Sequence, residues 1–138
     1  MKKIFIAGPI FSEGERDYNL RIDSICKEIG CKTFMAQRDV GIVANNTLEE
    51  AFNSDLNNLK NSDIIVANLD GVDVDSGTAW ELGYASSLNK PIIGIRSDVR
   101  MYRKFMPLNL MIFKSCIELT TLENLKKTLL KLQKNGRI

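Results

Sequence analysis

The chain reads as a single α/β domain over residues 1–138: a five-stranded parallel sheet with helices on both faces. Three observations predict this. Short apolar runs, such as Ile64-Ile65-Val66-Ala67-Asn68-Leu69, alternate along the whole chain with amphipathic stretches of helical spacing. The apolar runs are continuous, as in strands covered on both faces, and do not alternate with polar residues. The intervening stretches are long enough to be crossover helices, which parallel strands require and which are expected to be right-handed.

Lys3 to Ala7 is the first strand, ended by Gly8-Pro9. Glu15 to Ile29 carries Leu20, Ile22, Ile25, Cys26 and Ile29 on a helical stripe closed by Gly30. Lys32 to Ala36 reads as the second strand, and the polar, glycine-containing stretch Gln37 to Asn46 as a mobile loop. Thr47 with Glu50 forms a capping box for a helix running to about Lys60. Asp63 to Leu69 is the third strand and Ser76 to Leu88 the next helix. Pro91 to Arg96 is the fourth strand. Met101 to Leu110 is interrupted by Pro107 and fits neither class. Ile112-Phe113 and Cys116 to Leu119 are candidates for a last short strand. Leu122 to Gln133 closes the chain as an amphipathic helix. No repeat, low-complexity tract or linker divides the sequence.

Composition narrows the chemistry. The chain is 44% hydrophobic and 26% charged, with a net charge of +2, ordinary values for a globular domain. The denser group Lys126, Lys127, Lys131, Lys134 and Arg137 follows helical spacing and reads as a solvated helix face, not a nucleic-acid surface. No apolar run approaches the ~20 residues of a membrane span. Met1-Lys2-Lys3 with the apolar run behind it is cut short by Gly8-Pro9, with no cleavage site, so a cytoplasmic location is expected. Cys26, Cys31 and Cys116 lack metal-type spacing and are expected to be free thiols. There is no histidine, which removes Ser-His-Asp and Cys-His catalysis and most zinc sites; no metal or cofactor is expected. Acid–base work near neutral pH falls to Asp and Glu.

The most informative stretch is Asp75-Ser76-Gly77-Thr78-Ala79-Trp80-Glu81-Leu82-Gly83-Tyr84-Ala85. It follows the third strand and opens a helix, with Asp75 and Ser76 as N-cap candidates. In an open α/β sheet such a loop lies at the carboxyl ends of the strands, where ligands bind. Glu81, about one turn into the helix, can face back into that cleft, where a carboxylate can attack an electrophilic carbon such as the anomeric carbon of a sugar. Gly8-Pro9 is not a phosphate loop, since Pro9 has no N–H to offer; either a plain turn or close approach of a ligand accounts for Gly8. Asp55 lies beside the apolar face formed by Phe52, Leu56 and Leu59, and taken alone reads as a surface carboxylate. Asp70 and Asp73 read as solvated loop acids.

The pattern resembles the nucleoside 2-deoxyribosyltransferase family. The resemblance runs from Ile4 to about Met111. It rests on Ile4-Phe5-Ile6-Ala7-Gly8-Pro9-Ile10-Phe11, on Asp55 to Asp63, on Asp75 to Ala85, and on Pro107-Leu108-Asn109-Leu110-Met111. It implies a flavodoxin-like (Rossmann-like) fold and exchange of the base on a 2′-deoxynucleoside. It further implies Glu81 as the nucleophile of a covalent deoxyribosyl intermediate, Asp55 as proton donor and acceptor for the base, and Asp75 as a sugar-hydroxyl ligand. Asn109 and Met111 would reach into a neighbouring subunit's site, Asn109 toward the 5′-hydroxyl. The implied partners are nucleosides and nucleobases, within a homo-oligomer, dimer or hexamer, that shares its active sites. Phe5, Gly8, Phe11 and Gly77 join the expected substrate-binding set, and loops around Phe11 and Gln37 to Asn46 are expected to shape the base pocket. Many members carry Tyr where this chain has Phe5, which cannot make the tyrosine's hydrogen bond; a less constrained Glu81, or room for a 2′-hydroxyl, would follow. Related nucleoside 5′-monophosphate N-glycosidases share the fold but typically have Ser at the position of Asp75. A carboxylate there repels a phosphate, so an unphosphorylated nucleoside is expected. Two other readings stay open: an N-glycosidase with water as acceptor, and a binding domain without turnover.

Overall fold

Residues 1–40 and 47–138 are described by a computed structural model. Five strands form one all-parallel sheet: β1 (Lys3–Ala7), β2 (Lys32–Met35), β3 (Ile64–Asn68), β4 (Ile92–Ile95) and β5 (Glu118–Thr120), in the order β2-β1-β3-β4-β5. Among the described residues the helices are α1 (Glu13–Glu28), α2 (Ala36–Asp39), α3 (Leu48–Lys60), α4 (Ser76–Ser87), α5 (Leu110–Ser115) and α6 (Leu125–Lys134). This is the flavodoxin-like order, whose reversal point lies between β1 and β3.

Strand alternation sorts the apolar residues into two cores. Ile4, Ile6, Ile64, Val66, Ile93 and Ile95 face one side and pack against Ile22 and Cys26 of α1 and Leu125, Leu129 and Leu132 of α6. Their neighbours Phe5, Ala7, Ile65, Ala67 and Ile92 face the other side, against Leu59 of α3 and Leu82 and Ala85 of α4. The parallel register sets Phe5 beside Ile65 and Ala67 beside Gly94. Every residue of β3 is buried, as its central position demands, and each fully buried Ile, Leu or Phe contributes about 1.5–3 kcal/mol.

Several sequence expectations shift, among them the closing helix, which starts at Leu125 and not at Leu122. α1 starts at Glu13, not Glu15, because Ser12 caps it and Glu15 completes a capping box. Ala36 leaves the second strand and opens α2, which also takes in Gln37, Arg38 and Asp39, all expected as loop. Arg38 in that turn pairs with Asp39 and with the buried Asp23, tying α2 to α1. Residues 41–46, the rest of the expected loop, lie outside the described residues. Ile112 and Phe113 are helical: Asn109 caps α5 by accepting from the Met111 N–H, so only the stretch from Cys116 onward yields a strand. Three residues of β5 suffice because it pairs on one side only, with β4.

The thiols are free. Burial pushes Cys26 up to about 12 and Cys116 up to about 11, which leaves both as unreactive packing residues. No helix among the described residues is long and apolar enough to cross a membrane.

Candidate active site

α3 leads into β3 and α4 leads away from it, and the two helices pack side by side on the same face of the sheet. Between them lies a cavity of about 300 Å³ lined by Phe52, Asp55, Leu56, Leu59, Gly77, Trp80 and Glu81, at the small end of the range for ligand pockets. Three expected site residues, Glu81, Asp55 and Gly77, therefore meet in one place. Asp55 and Glu81 come from different helices, and only the packing of α3 on α4 brings them together.

Asp75 is the N-cap of α4. Its Oδ2 accepts from the Thr78 N–H at 2.9 Å and from the Thr78 hydroxyl at 3.0 Å. This cap fixes the first turn of α4 and so the direction in which Glu81 leaves it. A Cβ on Gly77 would come within 3.3 Å of the same Oδ2, so a side chain there would press on the capping carboxylate and fill the cavity wall.

The electrostatics of the cavity are unusual for two acids. One oxygen of Asp55, Oδ1, is buried with no hydrogen-bond partner among the described residues. Burial raises Asp55 to about 6. Burial also raises Glu81, to about 8, helped by the nearby charges of Asp55 and Asp75. Two desolvated carboxyls that repel one another titrate as a pair. Both carboxyls are thus held toward their protonated forms, Glu81 more strongly than Asp55. A buried polar atom without a partner costs about 1–3 kcal/mol.

The remaining expected residues lie elsewhere in this chain. Phe5 is buried and stacked on Phe34, with ring centroids 5.2 Å apart. Gly8 sits where three segments converge: a Cβ would meet Asn19 Oδ1 at 2.8 Å and Asn68 Cβ at 3.0 Å, which supplies a packing reason for the glycine. Phe11 is exposed, its N–H donating to Glu15. Asn109 caps α5 and donates to the Tyr102 hydroxyl at 3.3 Å, while Met111 is exposed; neither lines the Glu81 cavity of its own chain. Asp70 is not a free loop acid, since it accepts from the Ser97 and Asp98 N–H groups and ties the ends of β3 and β4 together. Phe52 and Trp80 were not singled out from sequence as site residues. The available signal was position: Phe52 lies one helical turn before Asp55, and Trp80 adjoins Glu81.

With this geometry in view, comparison with known proteins is decisive. The family profile described as nucleoside 2-deoxyribosyltransferase matches residues 4–125. The chain belongs to that family. A 2-deoxyribosyltransferase of Bacillus psychrosaccharolyticus shares 26% identity over 90% of both chains, with a TM-score of 0.75. Two further structures share the fold. The 2-deoxyribosyltransferase of Leishmania mexicana is 22% identical over 95% of this chain and 98% of its own, with a TM-score of 0.77. The CMP N-glycosidase of Clostridium botulinum is 20% identical over 93% and 97%, with a TM-score of 0.61. No curated protein matches by sequence. In this member of the family, the α3–α4 cavity holds both Asp55 and Glu81.

Proposed function

We propose that the protein transfers a 2-deoxyribosyl group from one nucleobase to another through a covalent intermediate on Glu81. The observation that carries this reading is the pairing of Asp55 and Glu81 across one cavity, both held toward their protonated forms. The Glu81 carboxylate attacks C1′; the C1′–N bond breaks, its electron pair goes to the base nitrogen, and Asp55 supplies the proton. In the return step Asp55 takes a proton from the incoming base, which attacks C1′ and frees Glu81. This is the two-carboxylate arrangement of retaining glycosyl transfer. In the free protein the proton favours Glu81, the more buried acid. A bound base that accepts a hydrogen bond from Asp55 draws the proton to that side and leaves Glu81 charged.

Three carboxylates, Asp55, Asp75 and Glu81, lie at or beside this cavity, and no Lys or Arg among the described residues lines it. That electrostatic balance favours an unphosphorylated nucleoside over a nucleotide. Incubation of a 2′-deoxynucleoside with a second free base tests the proposal. A new nucleoside is the expected product; free sugar plus base would make the protein a hydrolase, and no change would leave only binding.

The two raised carboxyls predict a bell-shaped pH profile for kcat/KM, with limbs near pH 6 and pH 8. Below the lower limb both acids are protonated and no nucleophile remains; above the upper limb both are ionised and no acid remains. A flat profile across this range would contradict the assignment.

Asn109 and Met111 stand away from the cavity of their own chain, which fits the family pattern in which they serve a neighbour's site. Mixing inactive Glu81→Ala with inactive Asn109→Ala subunits is expected to restore activity, because one mixed site carries both intact residues. Full activity in a species that sediments as a monomer would exclude shared sites.

A further inference from the structure

The α3–α4 cavity has two unlike sides. Asp55 and Glu81 form a polar edge, and beside them stand two aromatic rings with no assigned role. Phe52 and Trp80 meet edge to face, with centroids 6.0 Å apart and planes inclined at 60°. Trp80 lies flat against Tyr84 one helical turn later, at 5.4 Å and 3°, so the indole is braced from within α4. Both rings nevertheless remain half exposed, Phe52 at 53% and Trp80 at 51%. Braced, half-exposed rings beside a desolvated acid offer a flat apolar surface next to a proton donor.

We infer that Phe52 and Trp80 form the platform on which the nucleobase lies during transfer, an inference that rests on the proposed function. A nucleobase is apolar on its faces and polar at its ring nitrogens, and the cavity presents the same division. Each ring is carried by the same helix as one carboxyl: Phe52 precedes Asp55 by one turn of α3, and Trp80 adjoins Glu81 on α4. A base held against these rings turns its edge toward Asp55 and its glycosidic bond toward Glu81. Stacking accepts any base, because every base has a π-face. The platform therefore supplies affinity common to donor and acceptor bases, which an exchange reaction needs. Because the contact is the same before and during bond breaking, its loss appears mainly in KM.

Trp80 is the only tryptophan in the chain, so its emission reports directly on the platform. Glu81→Gln protein titrated with adenine or 2′-deoxyadenosine is expected to show saturable quenching, and deoxyribose alone is expected to show none. In the active protein, Trp80→Leu is expected to raise KM for 2′-deoxyadenosine roughly 10–100-fold, with kcat changed much less and Trp80→Phe recovering most of the loss. Should Trp80→Leu fail to fold, Phe52→Leu and the titration of the intact indole carry the same test. Base exchange by the wild type with Trp80 emission indifferent to bases would overturn the platform and leave the transfer reading standing. Quenching by adenine without any exchange would uphold the platform and overturn the transfer reading. Emission that responds to dilution of the protein but not to bases would assign Trp80 to a contact between copies and overturn the inference.

Discussion

Glu81→Ala is expected to abolish base exchange while the protein stays folded. Without the carboxylate no glycosyl intermediate forms, and kcat should fall by roughly 10⁴-fold or more, on the scale of other nucleophile deletions. The fold should survive because the Glu81 side chain makes no hydrogen bond among the described residues and its burial opposes stability. The sign follows from its raised pKa. The protonated form suits the cavity, so stability is fully present below Glu81's ordinary value of 4.5 and is lost as pH rises through about 8. Glu81→Gln, which keeps the shape without the charge, should therefore melt several degrees above wild type at pH 8–9 and close to it at pH 4. Mass spectrometry of a quenched wild-type mixture should show a deoxyribosyl adduct on Glu81. Near-normal turnover in Glu81→Ala would sink the mechanism.

Asp55→Asn is expected to produce the second largest loss, roughly 10²–10⁴-fold for ordinary bases. A nucleobase leaves poorly unless a ring nitrogen is protonated, and Asp55 is the acid whose unpartnered Oδ1 is buried at the cavity. The amide keeps the volume and removes the transferable proton. A deoxyribosyl donor whose leaving group needs no proton should be much less affected, so the ratio of the two losses is the diagnostic quantity. Equal losses on both donors would contradict proton transfer by Asp55 and point to a purely positional role.

The pairing of these two residues shows where reading the sequence stops. The cleft position of Glu81 was legible from local signals: an apolar run, an acidic Ser-Gly-Thr turn and a capped helix. Asp55 was not. Its neighbours Phe52, Leu56 and Leu59 mark an apolar helix face, and nothing local separates a carboxylate beside such a face from one in water. Only the resemblance to a family raised it. What sets Asp55 apart in the structure is desolvation between two packed helices, a property no single helix possesses. Phe52 and Trp80 follow the same logic, since a half-exposed ring acquires a role only from what stands across the crevice.

The amino-acid sequence by itself determined the alternation of buried strands and capped helices, and thereby the parallel sheet. The absence of histidine likewise excluded histidine-based catalysis. Those properties are short-range: they depend on periodicity, caps and side-chain type. Tertiary structure decided that residues 110–115 form a helix and that Gln37 sits in a helical turn, because a capping Asn109 and an Arg38–Asp23 pair outweigh local strand or loop preference. It also decided that Asp55 and Glu81 share one cavity, where burial raises both. A pKa raised by burial depends on every atom that displaces water around the group, and those atoms come from segments far apart in the chain.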